Sequence, residues 1–500
     1  MSKSFIFFWT TFFYTFTYVS SMKDDFQLNG AIAKNKKVLA VLIAFLLFFS
    51  IAVFSSREPS GVKPESGDET PSEVLKIGPN IRLTDVPQSN NEPHIAVNPT
   101  DPLNIVAAGN DYGTPLEDAW VGFYTTVDGG KNWTRGLIPG YYETGDPKPG
   151  EPLWGYKGGG DPVVAFGPDG TCYLAGIAFK RYPMTPGRSS GIFVARSEDK
   201  GFTWEVNMVI ASATIGTFHD KEWIAVDPNN GNVYVTWTAF NFYAVSSLVF
   251  SKSTDGGRTW SRPVVISDLL ELELQVQGSA VAVDSKGAIH VVWIDFDSNT
   301  VRYTSSSDYG ESWSLPKSIA PVKPLPSSLP GGGYRTPTLM AMAVDLSNGT
   351  YGGSIYASWP DYSNGNGDIM LVYSRDGGTN WSEPVKVNND NSGNDQFFPA
   401  IAVSPNGWVH MSFYDRRDDP DNILLSMYYA QSRDGGKNFT IQLNVTDTMF
   451  NGDLSRGPFI GDYNGIAAND TIAHLVWCDM RHGTESTPNS EVYYVSVKFA

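Results

Sequence analysis

The chain has 500 residues, 13% of them aromatic, with 49 Gly and 32 Pro, and a formal net charge of -17. Such a balance excludes nucleic acid or an anionic membrane surface as the main partner, since no basic stripe offsets the acidity. Abundant Gly, Pro and aromatic residues predict many short strands joined by turns, and two cysteines, Cys172 and Cys478, both in apolar runs, read as free buried thiols.

In chain order, an apolar run over 5–19 precedes a second over 38–54, which is long enough to cross a bilayer and follows Lys34, Lys36 and Lys37. The positive-inside rule then predicts a short cytoplasmic segment (1–37), a single transmembrane signal-anchor helix (38–54) and an outward-facing remainder at the cell membrane, with a secreted form after signal cleavage as the rival. A true start at Met22 would remove the first run, whose crossing would place the three lysines outside. Residues 55–80 are rich in Ser, Pro, Gly and Glu and read as a flexible linker.

From residue 81 two motifs repeat. One is an apolar strand, a Pro/Asn/Gly turn and a strand ending in an aromatic, seen seven times, at His94, Pro162, Trp223, Ala280, Met340, Ala400 and Phe459. The other is Ser/Thr-x-Asp-x-Gly-x-x-Trp/Phe, seen six times and clearest as STDGGRTW at 253–260. Its Asp side chain can accept hydrogen bonds from its own turn, Gly supplies positive φ, and the aromatic starts the returning strand. Asp128, Asp199, Asp255, Asp308, Asp376 and Asp434 therefore read as structural, because six copies of one group suit a repeat fold better than a catalyst.

This motif resembles the Asp-box, or bacterial neuraminidase repeat, of sialidases and other β-propellers, and the chain looks similar to uncharacterised sialidase-like prokaryotic surface proteins. The fold expected over 81–500 is all-β, a seven-bladed propeller of four-stranded antiparallel blades, against six in typical sialidases. The seventh copy is followed only by EVYYVSVKF (491–499), so IRLTDV (81–86) is expected to supply the outermost strand of that blade and close the ring. Ligand residues are expected where loops lead into the innermost strands and leave the second ones, since these converge on the axis.

Those loops hold Asp161, Asp220, Glu222 and Arg335, with Tyr414, Arg416, Arg456, Tyr463 and Arg481. The resemblance implies a glycosidase of exo-sialidase type acting on acidic or surface glycans. It casts Arg335, Arg416, Arg456 and Arg481 as a carboxylate clamp, Tyr414 or Tyr463 as nucleophile, Asp161 or Asp220 as proton donor and Glu222 as base. The alternative is a non-catalytic propeller that holds a glycan or a cell-surface protein at the same mouth. No cofactor motif is present; acidic stretches such as 415–421 offer oxygen atoms to Ca²⁺ without a specific pattern. Lipid is expected as a partner only through the N-terminal helix.

Overall fold

The computed structural model describes residues 75–84, 89–113, 118–140, 150–180, 190–211, 217–241, 245–267, 275–457 and 459–499. Seven antiparallel sheets follow one another along the chain. Blade one comprises Asn90–Val97, Ile105–Asp111, Trp120–Thr126 and Thr134–Leu137, and blades two to six repeat this order with four strands each. The apolar strand that opens each repeat is innermost, and each chain segment then runs outward.

Both faces of a blade are covered by neighbouring blades, so the middle strands are buried throughout rather than alternating. Ile289–Asp295 and Val409–Asp415 are buried at every residue. Trp237, Trp293, Trp359 and Trp477 occupy like positions on the second strands and are fully buried. Three histidines serve the same architecture: His290, His410 and His474 place Nδ1 at 2.7–2.8 Å from the hydroxyls of Tyr303, Tyr429 and Tyr494 on the adjoining third strand. Burial lowers His410 and His474 to a pKa of about 3.

The turns between third and fourth strands are built as their composition dictates. Ser253 Oγ donates to Asp255 Oδ1 (2.8 Å) and accepts from Gly257 N (2.8 Å), while Asp255 Oδ1 also accepts from Arg258 N and Thr259 N. Trp260 Nε1 donates back to Gly257 O at 3.2 Å. Equivalent bonds tie Asp128, Asp199, Asp308, Asp376 and Asp434 to their own turns. Gly378 has φ +84°, and a Cβ there would overlap the Tyr303 hydroxyl. Gly378→Ala is therefore expected to cost about 2–4 kcal/mol from left-handed strain plus overpacking. Urea unfolding would read this, and an unchanged midpoint would show that the turn relaxes freely.

Ring closure uses both ends of the described chain. Blade seven holds Gly465–Ala468, Ile472–Asp479 and Glu491–Lys498; Ile81–Arg82 pairs with Tyr494 and Tyr493, and Lys76–Ile77 pairs with Lys498 and Val497. The pairing of Lys76 and Ile77 brings the last residues of the expected linker into the sheet. Arg82 lies on this outer layer, 3.1 Å from Glu491 Oε1.

The expectation of a membrane helix is corrected. Among the described residues no helix is long and apolar enough to cross a membrane, and the run at 38–54, like Met22 and the 5–19 run, lies outside them. The described fold is the seven-bladed propeller and contains no such helix, so nothing in it supports the single-pass anchor, the lipid partner or the membrane placement that rested on it.

Candidate functional site

The innermost strands share an irregularity at the end where they begin. In blades one, two, three, four and six the pairing register slips by a bulge, between Asn91 and His94, Gly160 and Val163, Asp220 and Trp223, Gln277 and Ala280, and Phe397 and Ala400. The first bulged residue has positive φ each time: Glu92 (53°), Asp161 (58°), Lys221 (53°), Gly278 (70°) and Phe398 (53°). Pro follows in three of them, where a bulge leaves no ladder bond for the missing N–H. Four of the eight non-glycine residues with positive φ among those described thus fall at this one structural position. Such strain, of order 1 kcal/mol or more per residue, persists where the surroundings over-determine the geometry, and it concentrates at functional sites.

The bulges aim charge at the axis. Lys221 Nζ lies 2.7 Å from Glu92 Oε1, 2.8 Å from Asp462 Oδ2 and 3.0 Å from Asp161 Oδ2, and 5.0 Å from the centre of the Tyr463 ring. Arg335 grips Asp462 through Nε–Oδ1 (2.8 Å) and Nη2–Oδ2 (2.6 Å) and lies over the Phe459 ring. Glu92 Oε2 accepts from Asn110 Nδ2 at 2.6 Å, and Asn110 Oδ1 accepts from Asp161 N at 2.8 Å. One ammonium therefore ties together blades one, two, three and seven. Among the described residues no group of three or more His, Cys, Asp or Glu is placed to hold a metal ion. Here the point on which three carboxylates converge is filled by Lys221.

Five acids, Glu92, Asp161, Asp220, Glu222 and Asp462, stand against two bases in this buried cluster. Burial and then Asp161 push Glu92 and Glu222 well above the ordinary carboxyl range, and the same two causes push Asp220 up to about 7. For Asp462 burial acts upward, but Arg335 and Lys221 outweigh it and hold the carboxyl below its ordinary value. Lys221 resists burial because Asp161, Asp462 and Glu92 surround it, so it stays charged. Glu222 is 2% exposed, and neither of its oxygens has a hydrogen-bond partner in another residue.

Beside Asp462 lies a small axial cavity of about 30 Å³, room for about one water molecule. Trp223, Met340, Met342 and Phe398 give it apolar walls, and Asp462 and Asn464 its polar end.

Of the residues singled out from sequence, the fold brings together Asp161, Asp220, Glu222, Arg335 and Tyr463, and adds Glu92, Lys221 and Asp462. The others stand apart. Tyr414 is fully buried, donates to Cys478 O (2.5 Å) and accepts from Cys478 N (3.1 Å), and burial raises its pKa far above that of a free phenol, which is the opposite of activation. Arg416 is also fully buried and is spent on Pro330 O, Asn422 O and the Tyr334 hydroxyl. Arg481 forks onto Asp479, also pairs with Asp447, and covers the Tyr493 ring. Arg456 is exposed. Tyr463 donates to Pro162 O at 3.2 Å, and burial with Glu92 and Asp161 nearby raises its pKa as well. In the 415–421 stretch, Asp415 is bound by Arg417 and Asp419 accepts from Ile423 N and Leu424 N, so these carboxylates are already committed.

The BNR repeat-like domain family matches residues 247–451, a span covering the third and fourth strands of blade three and all of blades four to six. The seven antiparallel sheets themselves settle the architecture. The chain is a seven-bladed β-propeller. Solved structures similar to this propeller include a protein of unknown function from Dyadobacter fermentans, at 12% identity and a TM-score of 0.45, covering 85% of this chain and 99% of that one. An ulvan lyase follows at 14% and 0.46, covering 83% and 95%. The NanB sialidase of Streptococcus pneumoniae stands at 12% and 0.42, covering 84% and 70%. No curated protein sequence matches the chain.

Proposed function

We propose that this propeller is a non-catalytic binding module that holds a glycan at its axial mouth. The observation that carries this reading is the internal saturation of the mouth's two basic groups. Lys221 is neutralised by three carboxylates, and the only candidate clamp arginine in the cluster, Arg335, is committed to Asp462. A glycosidase of the sialidase kind needs a free cationic clamp and an accessible, activated hydroxyl, and the glycosidase reading gives way on both counts. Glycan recognition asks for less: carboxylates that accept from sugar hydroxyls and an aromatic face for the C–H surface of a pyranose ring. On the loop leading into the innermost strand of blade two, on the mouth side, Trp154 is 41% exposed.

A panel of fluorogenic glycosides, sialosides included, is expected to give no turnover with the folded propeller, whereas a glycan array gives saturable binding. Trp154→Ala is expected to weaken that binding about five- to fifty-fold without changing the unfolding midpoint. Turnover of any glycoside would overturn the non-catalytic reading, and an empty array would overturn the glycan.

A further inference from the structure

The carboxylate surplus of the mouth has a chemical complement. Within the cluster, Lys221 satisfies Glu92, Asp161 and Asp462, and Arg335 doubly satisfies Asp462, which leaves Asp220 and Glu222 with neither base. Glu222 is the sharper case, since both oxygens are buried and without a hydrogen-bond partner in any other residue, and its strongest charged neighbours are Asp161 and Asp220. In the bulges of blades one, two and six the corresponding second residue is Pro93, Pro162 or Pro399; blade three places a carboxylate there instead. The cluster reaches solvent at its edge, where the Asp161 side chain is 11% and the Arg335 side chain 31% exposed.

A ligand suited to this surface brings positive charge together with several donors in a compact head. Lys221 already displays that solution, because a primary ammonium has three N–H donors and meets three carboxylates here at 2.7–3.0 Å. A guanidinium is planar and wider, and a quaternary ammonium has no donor at all. We propose that the mouth recognises a protonated primary amine, within the glycan class a free amino sugar, with the ammonium held by Glu222, Asp220 and Asp161. This rests on the glycan-binding reading for the sugar, but the amine site stands on the cluster alone.

The test pairs two probes with one isosteric variant at pH 6, where a bound ammonium must displace the protons that burial keeps on Asp220 and Glu222. Chitosan tetraose, with free amines, is compared with its fully N-acetylated counterpart by titration calorimetry, and methylammonium chloride with tetramethylammonium chloride at equal ionic strength by thermal unfolding. The intact protein is expected to bind the free-amine oligomer about ten-fold or more tightly than the acetylated one, as expected for hydrogen bonds to charged groups. Methylammonium alone should raise its unfolding temperature. In Glu222→Gln, which keeps shape and cannot release a proton to meet an ammonium, both preferences should disappear while the fold persists. Equal binding of the two oligomers with no methylammonium effect would overturn the amine site and leave glycan binding intact. Stabilisation by methylammonium with no oligomer bound would do the reverse.

Discussion

Replacing Lys221 by Met is expected to destabilise the propeller by about 3–5 kcal/mol, the largest effect of any single substitution at the mouth. Met matches the length of the Lys stem and keeps its packing, so the change isolates the charge. Without the ammonium, Glu92, Asp161 and Asp462 converge with no cation among them except Arg335, which reaches only Asp462. Either the acids stay ionised and repel, or they take up protons and lose their charge-assisted bonds; both cost stability. The loss should fall chiefly on ring cohesion, because the three acids come from blades one, two and seven while Lys221 belongs to blade three. Adding Glu92→Gln to Lys221→Met should recover part of the loss, giving a coupling of roughly 0.5–3 kcal/mol in a double-mutant cycle. Urea unfolding of the four proteins measures it, and additive effects would show that Lys221 and Glu92 do not act as one unit.

The blade count was legible because it rests on periodicity: seven strand motifs against six Asp-turn motifs leave one blade short of an outer strand, and Ile81–Arg82 fills it. The mouth was half legible. Asp161, Asp220, Glu222, Arg335 and Tyr463 follow from knowing which loops face the axis. Glu92, Lys221 and Asp462 did not receive roles, although a signal exists: Glu92, Asp161, Lys221, Gly278, Phe398 and Tyr463 each stand three residues before the apolar triplet of their innermost strand. Pattern alone does not say that this position is bulged and axial; that depends on a φ near +55° which Glu, Asp and Lys rarely adopt. Tyr414 and Arg416 lie away from the cluster for a different reason. In a propeller both faces of a blade are interior, so a Tyr-Asp-Arg-Arg run at a strand end can point at the neighbouring blade as readily as at the mouth, and only the packed partners Cys478 and Tyr334 decide it.

The second large effect is a change in how stability depends on pH. Asp220 has its folded pKa raised to about 7, from an ordinary value near 4. Between those two values the unfolded chain has released this proton while the folded protein retains it. Stability from this group is therefore full below about pH 4 and is lost as pH rises through 7, by up to about 4 kcal/mol for three pH units. Glu92 and Glu222, also raised, act in the same sense. The histidines act in the opposite one. His94 and His219 are lowered by burial to about 4, and His410 and His474 to about 3, so below pH 6.5 the unfolded chain takes up protons that the folded protein refuses. The propeller is thus squeezed from both sides, by histidines in acid and by mouth acids towards neutral and alkaline pH. Asp220→Asn removes one arm only: it should gain stability over the intact protein at pH 8, by about 2–4 kcal/mol, and converge on it at pH 4. Urea unfolding between pH 4 and 8 tests this, and parallel curves would mean that Asp220 titrates as an ordinary carboxylate.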